Sequence, residues 1–510
     1  MTIALTGNDL TLSQVESVAR AGAECELAPA ARAAMLASRA VIDRIVEAEE
    51  STYGVNTGFG ELADVRISSD QIRKLQLNLI RSHACGVGTP LSETETRAVM
   101  LLRANALAKG LSGVRPIVVE VLCAMLNRGV HPVIPSQGSV GASGDLAPLA
   151  HLALVVIGEG EAIYRGSHLP GRDAMQQAGI APLALEAKEG LSLLNGTQGM
   201  LALLALALGE AKILADAADV AAALSMDALR GSPAAFDARI ARARPHPGHA
   251  LVAQNLTKLN RGSKIRESHR SAKHDPRVQD AYSLRCTPQV HGAVRDALAQ
   301  VRATLEIELN SATDNPLVFV KAGGAAGEGA VLSGGNFHGQ PLAMAADQLA
   351  VALATLGGIS ERRIAHMTSP HTSLLPAFLT SDPGLNSGFM LAQVTAAALA
   401  SENKALATPH SVDSIPTSGD QEDYVSMGMA ATRRLRTMLE NSRRILAIEL
   451  MAACQGIDLL APLTTGVEAE KAKELVRSRS ARLDADRSLA PDIEKVAILI
   501  ASGQFSKFLE

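Results

Sequence analysis

The sequence predicts a mainly α protein, a bundle of long helices attached to an N-terminal domain of shorter helices and glycine-bearing loops. Two observations carry that expectation. Long segments repeat apolar residues at three- and four-residue steps with no strand signal between them, the pattern of helices that share a core. Aromatic residues are scarce, four Tyr, eight Phe and no Trp in 510 residues, so the interior must be built from Ala and Leu. Ala has the best helix propensity and lets backbones approach closely.

Taken in order, residues 1–195 read as a first domain. It alternates short amphipathic helices with loops such as 53–60 (Tyr-Gly-Val-Asn-Thr-Gly-Phe-Gly) and 138–145 (Gly-Ser-Val-Gly-Ala-Ser-Gly-Asp). Loops of this kind let backbone approach a ligand or adopt unusual dihedrals. Residues 196–480 read as the central long-helix bundle. The stretch 197–229 is nearly continuous Ala, Leu and Val, too long for a strand and apolar on most sides. Further long helices are predicted at 288–310, 340–359, 387–407 and 427–460. In the last, Leu435, Met438, Leu439, Leu446 and Leu450 form one apolar stripe. The Gly-rich stretch 322–335 interrupts the pattern as a loop or hairpin, and residues 481–510 read as a tail of one or two short helices. No internal repeat is apparent. Wide Ala/Leu faces commonly complete their core across subunits, which predicts a homo-oligomer.

Composition excludes several classes. Hydrophobic residues make up 47% and charged residues 20%, enough for a stable core at this length. Net charge is -4 with scattered Lys and Arg, which argues against nucleic-acid and anionic-membrane partners. The densest basic stretch, 261–273, is interleaved with Glu267, Ser and His and reads as a solvated loop. Five dispersed cysteines without a CxxC pair speak against a disulfide framework or a thiolate metal site. His131, His151, His291 and His338 show no metal-ligand spacing, and the Gly-rich stretches do not match a phosphate loop. The apolar run 200–208 is cut short by Glu210 and Lys212, and the N-terminus lacks a secretion-signal pattern. A cytoplasmic location is expected.

The chemistry centres on Gly141-Ala142-Ser143-Gly144-Asp145. So many small residues allow the backbone to fold sharply back on itself. If it does, the Gly144 amide nitrogen reaches the Ala142 carbonyl carbon. Ring closure with loss of two waters, one from the ring and one from the Ser143 side chain, then leaves a methylidene-imidazolone with an electrophilic CH2. By itself the segment reads more readily as a Ser/Gly turn before a helix capped near Asp145.

The stretch 141–149 (Gly-Ala-Ser-Gly-Asp-Leu-Ala-Pro-Leu) resembles the cofactor-forming signature of the aromatic amino acid ammonia-lyase and aminomutase family. Seven other stretches resemble the same family in order: 53–60, 81–88, 194–198, 279–286, 334–339, 401–404 and 421–423. The resemblance implies a mainly helical fold whose N-terminal domain carries the prosthetic group, 4-methylidene-imidazol-5-one (MIO), built from Ala142, Ser143 and Gly144, with no diffusible cofactor. It also implies a homotetramer with active sites composed from three subunits. The activity it implies is non-oxidative loss of ammonia from L-histidine to give trans-urocanate, the first step of histidine degradation.

Roles follow residue by residue from that resemblance, each beside a plainer reading. Tyr53 is the expected base for the β-proton, and otherwise a half-buried tyrosine. Arg285 is expected to hold the substrate carboxylate in a bidentate contact, and otherwise to make a helix-end salt bridge. Asn195 and Tyr282 resemble residues that hydrogen-bond around the ring; Asn195 before Gly196 also reads as a turn. Tyr282 and Arg285 share a face if that stretch is helical. His83 and Glu422 are expected to select the substrate ring, the Ser82-His83 pair resembling the histidine-specific branch. A carboxylate matches imidazole nitrogens, whereas a phenyl ring would leave it unsatisfied; Glu422 also reads as a charge before a helix starting near Met427. Gln279 and Phe337 are expected to line the pocket. Two departures from the family pattern stand out: Tyr424, where His is common, and His410, where a small residue is usual. They bear on selectivity and pH optimum. An aminomutase, a tyrosine or phenylalanine lyase, and a non-catalytic helical oligomer remain as alternatives.

Overall fold

The computed structural model describes residues 2–48, 50, 52, 54, 55, 57, 71–271, 275 and 277–510. The chain divides into two compact units, each discontinuous in sequence. The first gathers residues 1–206, 302–347 and 409–433, and the second 207–301, 348–408 and 434–510.

In the first unit, helix ends follow local chemistry. Helix Leu12–Ala21 starts with a reciprocal capping box between Thr11 and Gln14, and Glu93–Ala108 starts with one between Ser92 and Glu95. Helices Pro29–Glu47 and Pro116–Arg128 begin on proline, whose missing N–H needs no partner there. Glu93–Ala108 is buried along almost its whole length and packs against Leu12–Ala21 and Pro116–Arg128. Val41, Ile42, Ile45, Val55, Ile72, Ala187 and Val318 form a buried apolar cluster in this unit.

The absence of strand signals does not hold in detail. Ile3–Leu5 pairs in parallel with Cys25–Leu27, and Val87–Pro90 pairs antiparallel with Pro135–Gln137. Val130–Pro132, Glu161–Tyr164 and Ser167–Pro170 make an antiparallel three-stranded sheet. The Gly-rich interruption is a hairpin between Leu317–Val320 and Gly329–Leu332. Each strand has three or four residues, too few for a two-residue alternation to stand out in the sequence.

The second unit holds most of the long-helix sequence. Met390–Leu406 and Ala490–Ala501 both pack on Leu435–Leu459. The predicted stripe on that helix is real: Leu435, Met438, Leu439, Leu446 and Leu450 are all buried. A polar knot ties the unit internally. Arg363 and Glu449, both fully buried, pair at 2.5 Å, and Glu449 also accepts from Ser225 at 2.7 Å and Ser360 at 2.5 Å. Every oxygen of that carboxylate is thereby satisfied, which a buried charge requires.

Helix boundaries differ most from expectation in two places. Helix Gln340–Thr368 runs nine residues beyond 359, and the predicted helix 427–460 is two, Gly428–Arg433 and Leu435–Leu459. Helix Gln340–Thr368 is also long and apolar enough to cross a membrane by length and composition, but 67% of its most apolar window is buried, as in a core helix.

Candidate active site

The loop that holds Ala142, Ser143 and Gly144 lies between the short strand Pro135–Gln137 and helix Leu146–Val156. Gly144 adopts φ +73° and bridges Gly196, the glycine that follows helix Glu189–Leu194. The two backbones are so close that a Cβ on Gly144 would stand 2.2 Å from the Gly196 carbonyl oxygen. Only glycine fits this left-handed, crowded position.

Asp145 clamps the turn from below. The Asp145 amide donates to Gly196 O at 2.7 Å. Its carboxylate makes no capping bond to its own helix; it accepts from the Met200 amide at 2.8 Å and from Ser139 Oγ at 2.8 Å. It therefore caps helix Gln198–Ala228. Full burial raises the Asp145 pKa to about 6 from an ordinary 3.8, against the lowering effect of those donors.

Around Ser143 the polar contacts are specific. Asn195 Nδ2 donates to the Ser143 carbonyl oxygen at 2.9 Å, while Asn195 Oδ1 is buried with no hydrogen-bond partner among the described residues. Ser143 Oγ donates to Glu422 Oε1 at 2.6 Å. Glu422 is fixed in turn, because its other oxygen accepts from Thr417 Oγ1 at 2.7 Å and its backbone pairs with Thr417 across a tight turn. It precedes helix Gly428–Arg433 by a full turn of chain, so it is not a charge in that helix's first turn. The loop is also tied through backbone: Gly339 N donates to Gly141 O at 3.2 Å and Met427 N to Val140 O at 2.8 Å. Helices Leu146–Val156, Gln198–Ala228 and Gln340–Thr368 all begin at these contacts. Their N-terminal ends favour negative charge on a group held between them.

The structure thus brings Ala142, Ser143, Gly144, Asn195 and Glu422 to one place. Half-buried Phe337 lies two residues before Gly339, next to His338, whose ring stacks on Tyr424 at 6.1 Å. The departure at Tyr424 therefore sits beside the site, and the His410 amide donates to Asp347 at 3.2 Å. His83 ends helix Ile72–His83 with Nδ1 2.8 Å from Leu79 O, four residues before the strand that pairs with Pro135–Gln137.

Gln279, Tyr282 and Arg285 belong to the second unit. Tyr282 and Arg285 do share one face of the short helix Tyr282–Arg285, the guanidinium 5.7 Å from the ring centroid. Arg285 donates to Gln279 Oε1, and no carboxylate among the described residues pairs with it. Tyr282 is 74% exposed. Tyr53 lies outside the described residues.

The sequence reading missed Arg103. It is fully buried on helix Glu93–Ala108 and donates to Asn195 O and Gln198 Oε1, each at 2.8 Å, fixing the backbone that presents the Asn195 amide. Burial lowers its pKa to about 10, with Asp314 opposing. The available signal was a lone cation inside the apolar run 98–108. Thr417 and Ser426, which holds Gly141 O at 2.9 Å, carry no sequence signal of their own.

A family model described as "Aromatic amino acid lyase" matches residues 10–478. The chain belongs to the aromatic amino acid lyase family. It is 56% identical to a histidine ammonia-lyase of Koribacter versatilis, over 98% of each chain. Among solved structures, histidine ammonia-lyase from Trypanosoma cruzi superposes with a TM-score of 0.91 at 45% identity, covering 100% of this chain and 95% of that one. Tyrosine aminomutase from Streptomyces globisporus gives 0.93 at 40%, covering 100% and 98%. The family fold is mainly helical, as expected from the sequence.

Proposed function

We propose that this chain is a carbon-nitrogen lyase that eliminates ammonia from L-histidine to give trans-urocanate, with an MIO electrophile made from Ala142, Ser143 and Gly144. The observation that carries the reading is how Ser143 is held: its carbonyl by the Asn195 amide and its hydroxyl by Glu422, in a turn with no bulky side chain on either flank. The name shared by its relatives supports histidine as substrate.

The residues fit such a ring. Gly144 brings its nitrogen to the turn without a side chain, and Asn195 Oδ1, which has no partner among the described residues, offers a further polar contact at the same point. Once formed, the ring supplies an electrophilic carbon that binds the substrate amine and makes a poor leaving group a better one. The remaining work belongs to side chains. Arg285, which pairs with no carboxylate among the described residues, receives the substrate carboxylate through its planar fork. Glu422 meets the imidazole, which has the nitrogen atoms that a phenyl or phenol ring lacks at that edge. Tyr53 takes the β-proton. Asn195 and Tyr282 hydrogen-bond around the ring, and His83, Gln279 and Phe337 line the pocket. We propose a homotetramer with composite sites.

The test is product formation from purified protein offered L-histidine, L-tyrosine and L-phenylalanine in parallel. Urocanate from histidine, with little turnover of the other two, is the expected result. Comparable rates on all three overturn the substrate assignment, and a β-amino acid as the main product from labelled histidine makes the protein an aminomutase.

A further inference from the structure

Glu422 occupies an unusual position for a group that serves only to recognise substrate. One of its oxygens is already engaged, 2.6 Å from Ser143 Oγ, by the very hydroxyl that ring formation must expel. The carboxyl cannot swing away without losing its second anchor, Thr417 Oγ1 at 2.7 Å, and the paired backbone of Thr417 and Glu422 fixes the approach. Glu422 is also the sole hydrogen-bond partner of the Ser143 hydroxyl among the described residues.

Hydroxide is a poor leaving group, and its departure from Cβ requires a proton at the oxygen as the bond breaks. We propose that Glu422 acts twice: first as the acid that lets the Ser143 hydroxyl depart during maturation, and afterwards as the group that meets the substrate. This rests on the ring-forming reading above. In the maturation step the Glu422 carboxylate, which accepts from Oγ in the structure, takes a proton from solvent and passes it to Oγ, and the Cβ–Oγ bond breaks with its electron pair leaving in a water molecule. The Ser143 Cα–H pair becomes the Cα=Cβ bond as a solvent water takes the α-proton, which replaces the proton that solvent gave to Glu422. The chain loses one water, and Glu422 is unchanged. Because Oγ departs with that water, Oε1 is released from Ser143 at the same moment as the electrophile is completed. Substrate recognition and electrophile therefore appear together, and an immature site has its recognition carboxyl engaged.

The experiment follows the intact mass of protein isolated at intervals after a pulse of synthesis, with peptide mapping of residues 142–144. Wild type is expected to lose the mass of two waters. E422Q keeps the size and planarity of the group, with one oxygen that accepts and one NH2 that donates to the hydroxyls of Ser143 and Thr417, but has no acidic proton, and is expected to stall after loss of one water or to mature about a hundredfold more slowly. E422D, which retains an acid on a shorter arm, is expected to mature faster than E422Q. Thermal unfolding of each variant near the wild-type midpoint shows that the fold is intact. Loss of both waters by E422Q at the wild-type rate, or equal rates for E422D and E422Q, overturns the proposal while leaving the function standing. Wild-type protein that loses no water overturns the ring-forming reading itself.

Discussion

Replacing Gly144 with alanine tests whether the turn at the site depends on close backbone approach. Gly144 has φ +73°, and the added Cβ would lie 2.2 Å, 2.4 Å and 2.8 Å from the O, C and N atoms of Gly196, all of them backbone. A left-handed conformation costs a residue with a Cβ about 1–2 kcal/mol. Relief of the overlap by displacing packed backbone costs about 1–3 kcal/mol more. The displacement also endangers the 2.7 Å bond from Asp145 N to Gly196 O, worth about 1 kcal/mol. The total is about 3–6 kcal/mol. Gly129 provides the control, since it has φ +74° but nothing within 4 Å of its added Cβ. Gly129→Ala should therefore lose only about 1–2 kcal/mol, the conformational part alone. Denaturant unfolding of both variants, with intact mass measured on the same samples, separates the two effects. Gly144→Ala is expected to be the less stable by several kcal/mol and to keep its full sequence mass. Equal stability of the two variants, or complete loss of two waters from Gly144→Ala, refutes the reasoning.

Three further outcomes follow from other parts of the molecule. Arg285→Lys replaces a planar fork with a point charge and is expected to raise KM for histidine about 10- to 100-fold in steady-state assays, with circular dichroism unchanged. Asp145 has a folded pKa of about 6, above the ordinary 3.8. The folded state therefore holds a proton that the unfolded chain has already released, and stability falls as pH rises from about 4 to about 6. Asp145→Asn is expected to remove that fall, read from urea midpoints across this range; an unchanged slope contradicts it. Glu449→Ala leaves Arg363 buried without its partner and is expected to destabilise by about 3–5 kcal/mol, measured by denaturant titration against wild type.

Much of the helical architecture was legible because its residues obey one rule along a long window. The stripe of Leu435, Met438, Leu439, Leu446 and Leu450 needs no partner to be seen, and the helix predicted at 197–229 is Gln198–Ala228. Features decided by distant partners were not legible. Strands such as Val87–Pro90 exist because Pro135–Gln137 lies beside them, not because of their own pattern. Asp145 looks like the cap of the helix it precedes, yet its carboxylate is used by Met200, fifty-five residues on. At the site, Ser143, Asn195 and Glu422 were named from motifs, and the folded chain adds how they meet: a carbonyl held by an amide and a hydroxyl held by a carboxyl. Arg103, which holds the carbonyl of Asn195, was hidden inside an apolar helix where periodicity reads it as an interruption.

The central claim is that residues 142–144 become an electrophile. Mass spectrometry of the purified, catalytically active protein, with the change mapped to the peptide that contains Ser143, tests it most directly. A deficit of two waters confined to Ala142, Ser143 and Gly144 is the predicted result. A fully active protein whose peptide carries an intact serine contradicts it.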